Sequence, residues 1–168
     1  MKQILFTLFL FISLSINAQI QRTFFGLELC KATKQDVKEM LQSKGIQSND
    51  YNVDNINIQD VTFGGITWDN ILFQFDGDVF YSVVFGKKVF SLNKENVKKE
   101  VKSIEDILRE KYSHFLMVDK EEYLIFCDLK TMASSSFTDV NGIAKAYGLT
   151  YSDMATLSKI SQKHKDEF

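Results

Sequence analysis

The sequence contains no proline, one tryptophan, two cysteines and two histidines in 168 residues. The lack of proline excludes proline-rich linkers and polyproline ligands. The two histidines, His114 and His164, form no zinc-binding motif, so we expect no metal. Basic residues (20) and acidic residues (22) nearly balance, and a net charge of -2 argues against a nucleic-acid partner.

Aromatic and aliphatic residues are plentiful by contrast. Hydrophobic residues make up 45% of the chain, and fifteen residues are phenylalanine. This is enough apolar material for the core of one globular domain.

The first eighteen residues have the pattern of an export signal. Lys2 precedes an apolar run over 4–12, and the segment ends in the small-residue exit Ser15 to Ala18. The run is short for a hydrocarbon core of roughly 30 Å, and no second hydrophobic stretch follows. We therefore predict a signal peptide over 1–18, a mature domain over 19–168 and an exported protein of the periplasm or the extracellular medium, without an integral membrane span. A retained membrane anchor is the alternative.

Cys30 and Cys127 are the only cysteines. An even number in an exported chain allows one disulfide between them. Each also lies in or after an apolar run, where cysteine serves as a small buried residue. The sequence leaves both alternatives open.

Two amphipathic helices are predicted. Thr33 and Asp36 have the spacing of a capping box before a helix over 34–44, which ends at Gly45. The second helix covers 94–112. Its apolar stripe consists of Val97, Val101, Ile104 and Leu108.

The strongest strand signal is a hairpin over 66–85 around Asp76, Gly77 and Asp78. If these three residues form the loop, Phe75 opposes Val79, and one face of the hairpin is wholly apolar. In this register Phe73 opposes Tyr81 and Ile71 opposes Val83. Other strands are predicted over 56–63, 123–127, 132–137 and 143–151, and a terminal helix on Met154, Leu157 and Ile160.

The order helix, three strands, helix, three strands predicts an α+β fold. We expect tandem units over about 23–90 and 91–152, each a helix plus a three-stranded antiparallel meander. The units would share one sheet, with the helices packed on one face. One unduplicated α+β domain with the same element order is the alternative.

The second face of the hairpin is aromatic and weakly polar. Its residues are Trp68, Asn70, Leu72, Gln74, Phe80 and Ser82. Large rigid side chains mixed with amides and hydroxyls are typical of protein recognition surfaces. These residues are the predicted binding surface. If a helix covers this face, they belong to the core instead.

Two segments carry a family resemblance. They are GLELCKATKQDVKEMLQSKG over 26–45 and VTFGGITWDNILFQFDGDVFYSVVF over 61–85. A helix opened by Gly-x6-Thr-x-x-Asp-Val, followed by a meander with an aromatic-Gly-Gly step, resembles the β-lactamase-inhibitor-protein-like group of small exported bacterial proteins, which includes BamE-like components. The resemblance implies a non-enzymatic protein that binds other proteins on a sheet face.

The sequence therefore predicts an exported, non-enzymatic interaction or inhibitor-like module whose partner is another protein and which needs no cofactor. An envelope-assembly or structural component is one alternative. A small exported hydrolase is another, because carboxylates are plentiful although their spacing does not show that two of them face each other.

Overall fold

The computed structural model describes residues 19–89, 94–120, 123–140 and 144–166. The predicted signal peptide over 1–18 lies outside these residues. Within them the chain is a mixture of helices and strands, with three α-helices and one large antiparallel sheet, which confirms the α+β class. No helix in the described part is long and apolar enough to cross a membrane.

The N-terminal segment forms a small hairpin from β1 (Thr23–Phe24) and β2 (Leu27–Glu28). Its turn residues Phe25 and Gly26 both have positive φ, at 54° and 90°. The side chain of Phe24 is fully buried, and its ring centroid lies 5.9 Å from that of Phe85. The segment is therefore part of the core.

Helix α1 (Lys34–Ser43) begins at the predicted capping box. The Asp36 N–H donates to Thr33 Oγ1 at 3.2 Å, and the Thr33 N–H donates to Asp36 Oδ2 at 2.7 Å. These bonds satisfy backbone donors that a helix start otherwise leaves free. Gly45, with φ at 66°, follows the helix end. The buried positions of α1 are Val37 and Leu41.

Two further helices follow in the chain. Helix α2 spans Lys94–Tyr112, as predicted, and a short 3-10 turn covers Ser113–Phe115. Helix α3 spans Met154–Asp166. The Asp153 carboxylate accepts the Thr156 N–H at 2.9 Å and so caps the start of α3.

Eight strands form the large sheet. They are β3 (Asn49–Asn52), β4 (Asn55–Phe63), β5 (Ile66–Asp76), β6 (Val79–Val89), β7 (Leu116–Lys120), β8 (Tyr123–Cys127), β9 (Thr131–Val140) and β10 (Ala144–Asp153). The order across the sheet is β3-β4-β5-β6-β10-β9-β8-β7, and every pairing is antiparallel.

The sheet thus consists of two four-stranded runs that meet where β6 pairs with β10. Each run has one strand more than predicted. The additional strands, β3 and β7, are the two sheet edges. Strand β3 has the polar sequence Asn-Asp-Tyr-Asn, which carries no alternation of apolar residues and reads as a loop.

The buried apolar residues of the sheet and those of α1 and α2 belong to a single hydrophobic cluster. The face of the sheet that carries Ile71, Phe73 and Val83 is here called the core face. Two ion pairs connect α2 to strands of the sheet. The Lys87 ammonium of β6 lies 2.8 Å from Glu100, and the Arg109 guanidinium lies 3.0 Å from Asp119 of β7.

The predicted hairpin register is wrong. Asp76 opposes Val79, so only Gly77 and Asp78 form the loop, and Phe75 opposes Phe80. Beyond a bulge at Tyr81, Gln74 opposes Ser82, Phe73 opposes Val83 and Ile71 opposes Phe85. Gly77 has φ at 62°, a left-handed conformation that suits a tight turn. The bulge allows a two-residue loop and an apolar hairpin face to occur together. The predicted register assumed regular alternation along both strands.

Candidate binding surface

The predicted surface divides into a buried part and a half-buried part. Trp68 is 2% exposed, Phe80 is fully buried, and Ser82 is 1% exposed. Asn70, Leu72 and Gln74 are half-buried. The prediction that the two aromatic side chains lie on an exposed face is therefore wrong, since both belong to the core cluster.

Trp68 reaches the core because alternation along β4 and β5 is interrupted. Asp60 of β4 has φ at 53°, and no paired position connects it to Asp69 of β5. A residue in this conformation breaks the regular pleat. The Trp68 ring then lies 5.2 Å from the ring of Phe85, and its indole N–H donates to the Phe63 carbonyl at 3.2 Å.

Phe80 reaches the core through the bulge at Tyr81. The extra residue shifts the register between Phe75 and Gln74, so that Phe80 shares a face with Phe75 and Phe73. Its ring centroid lies 5.7 Å from that of Phe73 and 6.1 Å from that of Phe75.

The remaining predicted residues belong to the face opposite the core, here called the polar face. Directly paired residues of neighbouring strands point to the same side of a sheet. Following the pairings from β4 to β8 gives the members of this face whose side chains the structure describes, which are Asn55, Asn57, Gln59, Asn70, Leu72, Gln74, Ser82, Val84, Gly86, Lys88, Ala146, Gly148, Thr150, Ser152, Met132, Ser134, Ser136, Tyr123, Ile125 and Cys127. Lys88 is the one charged side chain among them.

One row of the polar face has two neighbouring glycines at the centre of the sheet. Asn70 opposes Gly86, Gly86 opposes Gly148, and Gly148 opposes Ser136. Neither glycine has the positive φ that would require glycine. A glycine within a strand often marks a place where a ligand or another backbone approaches closely. The position without a Cβ at Gly148 is here called the trough.

The two glycines have different surroundings. A Cβ at Gly86 would overlap the carboxamide of Asn70, so Asn70 lies directly over this position. A Cβ at Gly148 would have no atom within 4 Å. The position of the Asn70 side chain thus explains why residue 86 is glycine. No such contact among the described residues explains the glycine at 148.

The two ends of the polar face differ in their hydrogen bonding. The Ser82 and Ser152 hydroxyls lie 2.8 Å apart and are both buried. At the other end, Asn57 Oδ1 is enclosed and has no hydrogen-bond partner among the described residues. An enclosed acceptor without a partner is a group that a bound donor would satisfy.

The core side of the sheet holds the titratable groups with the clearest shifts. Burial raises the pKa of Glu105, although Arg109 at 3.8 Å and the Ser135 hydroxyl at 3.4 Å oppose this effect. Burial also raises the pKa of Tyr147, whose hydroxyl has no hydrogen bond of ordinary geometry. Glu105 belongs to α2, and Tyr147 of β10 lies on the face of the sheet opposite the polar face.

The disulfide that the sequence allows between Cys30 and Cys127 is not formed, and both residues are free thiols. The Cys30 N–H donates to the Phe80 carbonyl of β6, whereas Cys127 belongs to β8. Strands β10 and β9 lie between β6 and β8, a separation of about 14 Å at ordinary strand spacing. A disulfide needs Cα atoms within about 7 Å of each other. Burial raises the pKa of both thiols.

Sequence reasoning missed half of the polar face, namely the residues of β10, β9 and β8. Their signal is present as small polar residues, namely the serines at 134 and 136 within a run of three, and Thr150 and Ser152 on either side of Tyr151. The pattern does not reveal that β10 pairs with β6, so these positions could not be joined to the hairpin.

Among the described residues, no group of three or more histidine, cysteine, aspartate and glutamate side chains could hold a metal ion. Comparison of the chain with family models, curated proteins and solved structures finds no match.

Proposed function

We propose that this chain is an exported, non-enzymatic module that binds another protein through the polar face. The observation that carries the proposal is the trough at Gly148, in the middle of a face on which Lys88 is the one charged side chain among the described residues. The space above it is open, and its backbone conformation does not require glycine.

The composition around the trough supports this function. Leu72, Val84 and Thr150 lie in one cross-strand row beside the glycine row, and each is half-buried. Apolar side chains flanked by amides and hydroxyls, with few charges, are typical of the centre of a protein interface. The partner would place a segment of its own backbone or a flat side chain over Gly148.

We also infer that the fold is a tandem of two units, α1 with β3–β6 and α2 with β7–β10, whose helices lie on the core face. The strand order supports this inference, because the last strand of each run pairs with the last strand of the other. Binding through a sheet face is also what the resemblance to the β-lactamase-inhibitor-protein-like group implies.

Export is part of the proposal. Ile20, two residues after the predicted cleavage site, is 1% exposed, and its N–H donates to Asp128 Oδ2 at 2.9 Å. The Gln21 N–H donates to the Tyr112 hydroxyl at 3.2 Å. Cleavage after Ala18 would therefore leave these anchoring contacts intact.

The test compares the mature protein with a Gly148→Arg variant. Affinity capture from envelope and culture medium identifies a partner, and calorimetry with that purified partner then measures binding. We expect Gly148→Arg to weaken binding at least about tenfold, because the new side chain occupies the trough. Gly148→Ala should bind within about threefold of the unchanged protein.

Ser103→Arg is the matched control, since Ser103 is exposed on α2 and the same side chain is introduced there. Circular dichroism establishes that each variant is folded. Equal binding by the Gly148→Arg variant and the control would contradict the proposed surface.

A further inference from the structure

A cavity of about 230 Å³ lies on the opposite side of the sheet from the polar face. It separates the C-terminal half of α2 from the core face and reaches the turn between β4 and β5. Its walls include Phe63, Trp68, Phe85, Ile104, Leu108 and Tyr151. The site is therefore distinct from the proposed protein-binding surface.

Hydrogen bonds hold the cavity walls in place. The Trp68 indole N–H donates to the Phe63 carbonyl at 3.2 Å. On the other side, the Tyr112 hydroxyl accepts the Gln21 N–H at 3.2 Å. Walls that are fixed before binding lower the cost of ordering a bound ligand. The cavity is thus pre-formed.

Ile107 lines the cavity and is 55% exposed, whereas the neighbouring lining residues Ile104 and Leu108 are buried. The apolar lining thus continues from the interior to the protein surface. An aliphatic chain that enters the cavity would bury Ile107 as well, a gain that grows with the apolar area removed from water.

A single charged residue, Lys111, lines the cavity. Its ammonium lies 5.1 Å from the centre of the Tyr112 ring and forms no ion pair with any carboxylate of the described residues. Arg109, two residues earlier on α2, has Glu105, Asp106 and Asp119 within ion-pair distance. The charge of Lys111 is therefore available to an anion.

We propose that this cavity binds the aliphatic chain of a medium-chain fatty acid, with its carboxylate beside Lys111. The lining is apolar apart from Gln21, two tyrosines and this one cation, which matches an apolar chain with one negative end. An apolar cavity of roughly 150 Å³ is sufficient to hold benzene. The larger volume here accommodates a longer chain, whose carboxyl end remains at the surface.

The test uses the intrinsic fluorescence of Trp68, the only tryptophan of the chain. Hexanoate, octanoate and decanoate are titrated into the mature protein below their micelle-forming concentrations. We expect a saturable change in emission for each acid. Affinity should rise about fourfold per added methylene until the cavity is filled.

The Lys111→Gln variant tests the carboxylate contact. We expect its affinity for decanoate to fall about threefold, while its affinity for decanol stays unchanged. Lys102→Gln is the matched control, because Lys102 is exposed on the same helix and does not line the cavity. Ile104→Phe, which fills part of the cavity, should weaken binding of all chain lengths.

Three results would overturn the proposal. They are the absence of a saturable change with any of the acids, affinity that does not depend on chain length, and equal losses of decanoate affinity in Lys111→Gln and Lys102→Gln. The first two are measured on the unchanged protein, so they do not depend on whether a variant folds. None of them bears on binding at Gly148.

Discussion

The Arg22 guanidinium and the Asp153 carboxylate form an ion pair of 2.9 Å that joins the N-terminal segment to the start of α3. Both side chains are largely buried, at 15% and 10% exposure. Arg22 also donates to the Thr131 hydroxyl at 2.8 Å and to the Lys130 carbonyl at 3.0 Å. The pair thus connects segments far apart in the sequence.

Replacing Arg22 with alanine should lower the free energy of unfolding by about 2–4 kcal/mol, because it leaves Asp153 without its cation in a largely buried site. Urea denaturation of the mature protein measures this loss. Lys31→Ala, which breaks the exposed ion pair with Glu28, is the control and should change stability by less than about 1 kcal/mol. Equal losses in the two variants would show that burial of the Arg22 pair has no effect.

The Arg22–Asp153 ion pair also predicts that the stability of the protein falls at acidic pH. Burial raises the pKa of Asp153, but hydrogen bonds from the Thr156 N–H, Arg22 and the Thr156 hydroxyl outweigh it, and the pKa is lowered. A carboxyl with a lowered pKa in the folded state stabilises the protein above its unfolded pKa, near 4, and loses this effect as the pH falls through its folded pKa.

Glu105 should have the opposite dependence. Because burial raises its pKa in the folded state, its contribution to stability is fully present below the unfolded pKa of about 4 and is lost as the pH rises through the folded value. Glu105→Gln should therefore stabilise the protein at neutral pH but not at pH 4. Denaturation at both pH values checks this, and a variant less stable only at neutral pH would refute it.

Gly86 and Asn70 should be coupled energetically. We expect Gly86→Ala to destabilise the protein by about 1–3 kcal/mol, because the new Cβ overlaps the Asn70 carboxamide. In an Asn70→Ala background the same substitution should be nearly neutral. The double-mutant cycle, measured by urea denaturation, should give a coupling energy of at least about 1 kcal/mol. Additive effects would mean that Asn70 does not constrain this position.

Trp68→Ala should lower the stability of the fold, so it is not a variant that removes partner binding alone. Loss of a buried tryptophan side chain costs about 3–5 kcal/mol, whereas Trp68→Phe keeps most of the contact with Phe85 and should cost less. Thermal unfolding followed by circular dichroism measures both. Unfolding midpoints unchanged from the parent would indicate that Trp68 is not part of the core.

The mature protein should begin at Gln19. Expression of the full chain in a bacterial host, followed by mass spectrometry of the exported form, identifies the N-terminus. Ala18→Arg should block processing, since signal cleavage needs a small residue at this site. Recovery of the protein only inside the cell, with residues 1–18 attached, would contradict the export prediction.

Local sequence patterns predicted the elements whose stabilising contacts are local. The Thr33 and Asp36 capping box and the apolar stripe of α2 involve residues three or four positions apart, and both helices lie where predicted. The apolar runs likewise located β4, β5, β6 and β8 to within a few residues. The edge strands β3 and β7 were not predicted. Each is held by backbone hydrogen bonds to one neighbouring strand, and these bonds do not require a pattern of apolar side chains.

The candidate surface was predicted less completely, for reasons visible at two positions. A left-handed residue at Asp60 and an extra residue at Tyr81 interrupt alternation, and they move Trp68 and Phe80 into the core. Tyr81 is not a residue that marks such a break, and Asp60, although aspartate adopts the left-handed conformation more readily than most residues, lies within an otherwise regular strand. Regular alternation was therefore the only pattern that the sequence provided.

The sequence by itself determined the α+β class, the positions of the helices and the presence of a face with amides and hydroxyls, since each of these depends on neighbouring residues. The tertiary structure decided which side chains form that face. Ser82 meets Ser152 across a separation of 70 residues, and the same pairing of β6 with β10 places Gly86 beside Gly148. Contacts at this separation are set by the packing of the whole sheet, which no local pattern contains.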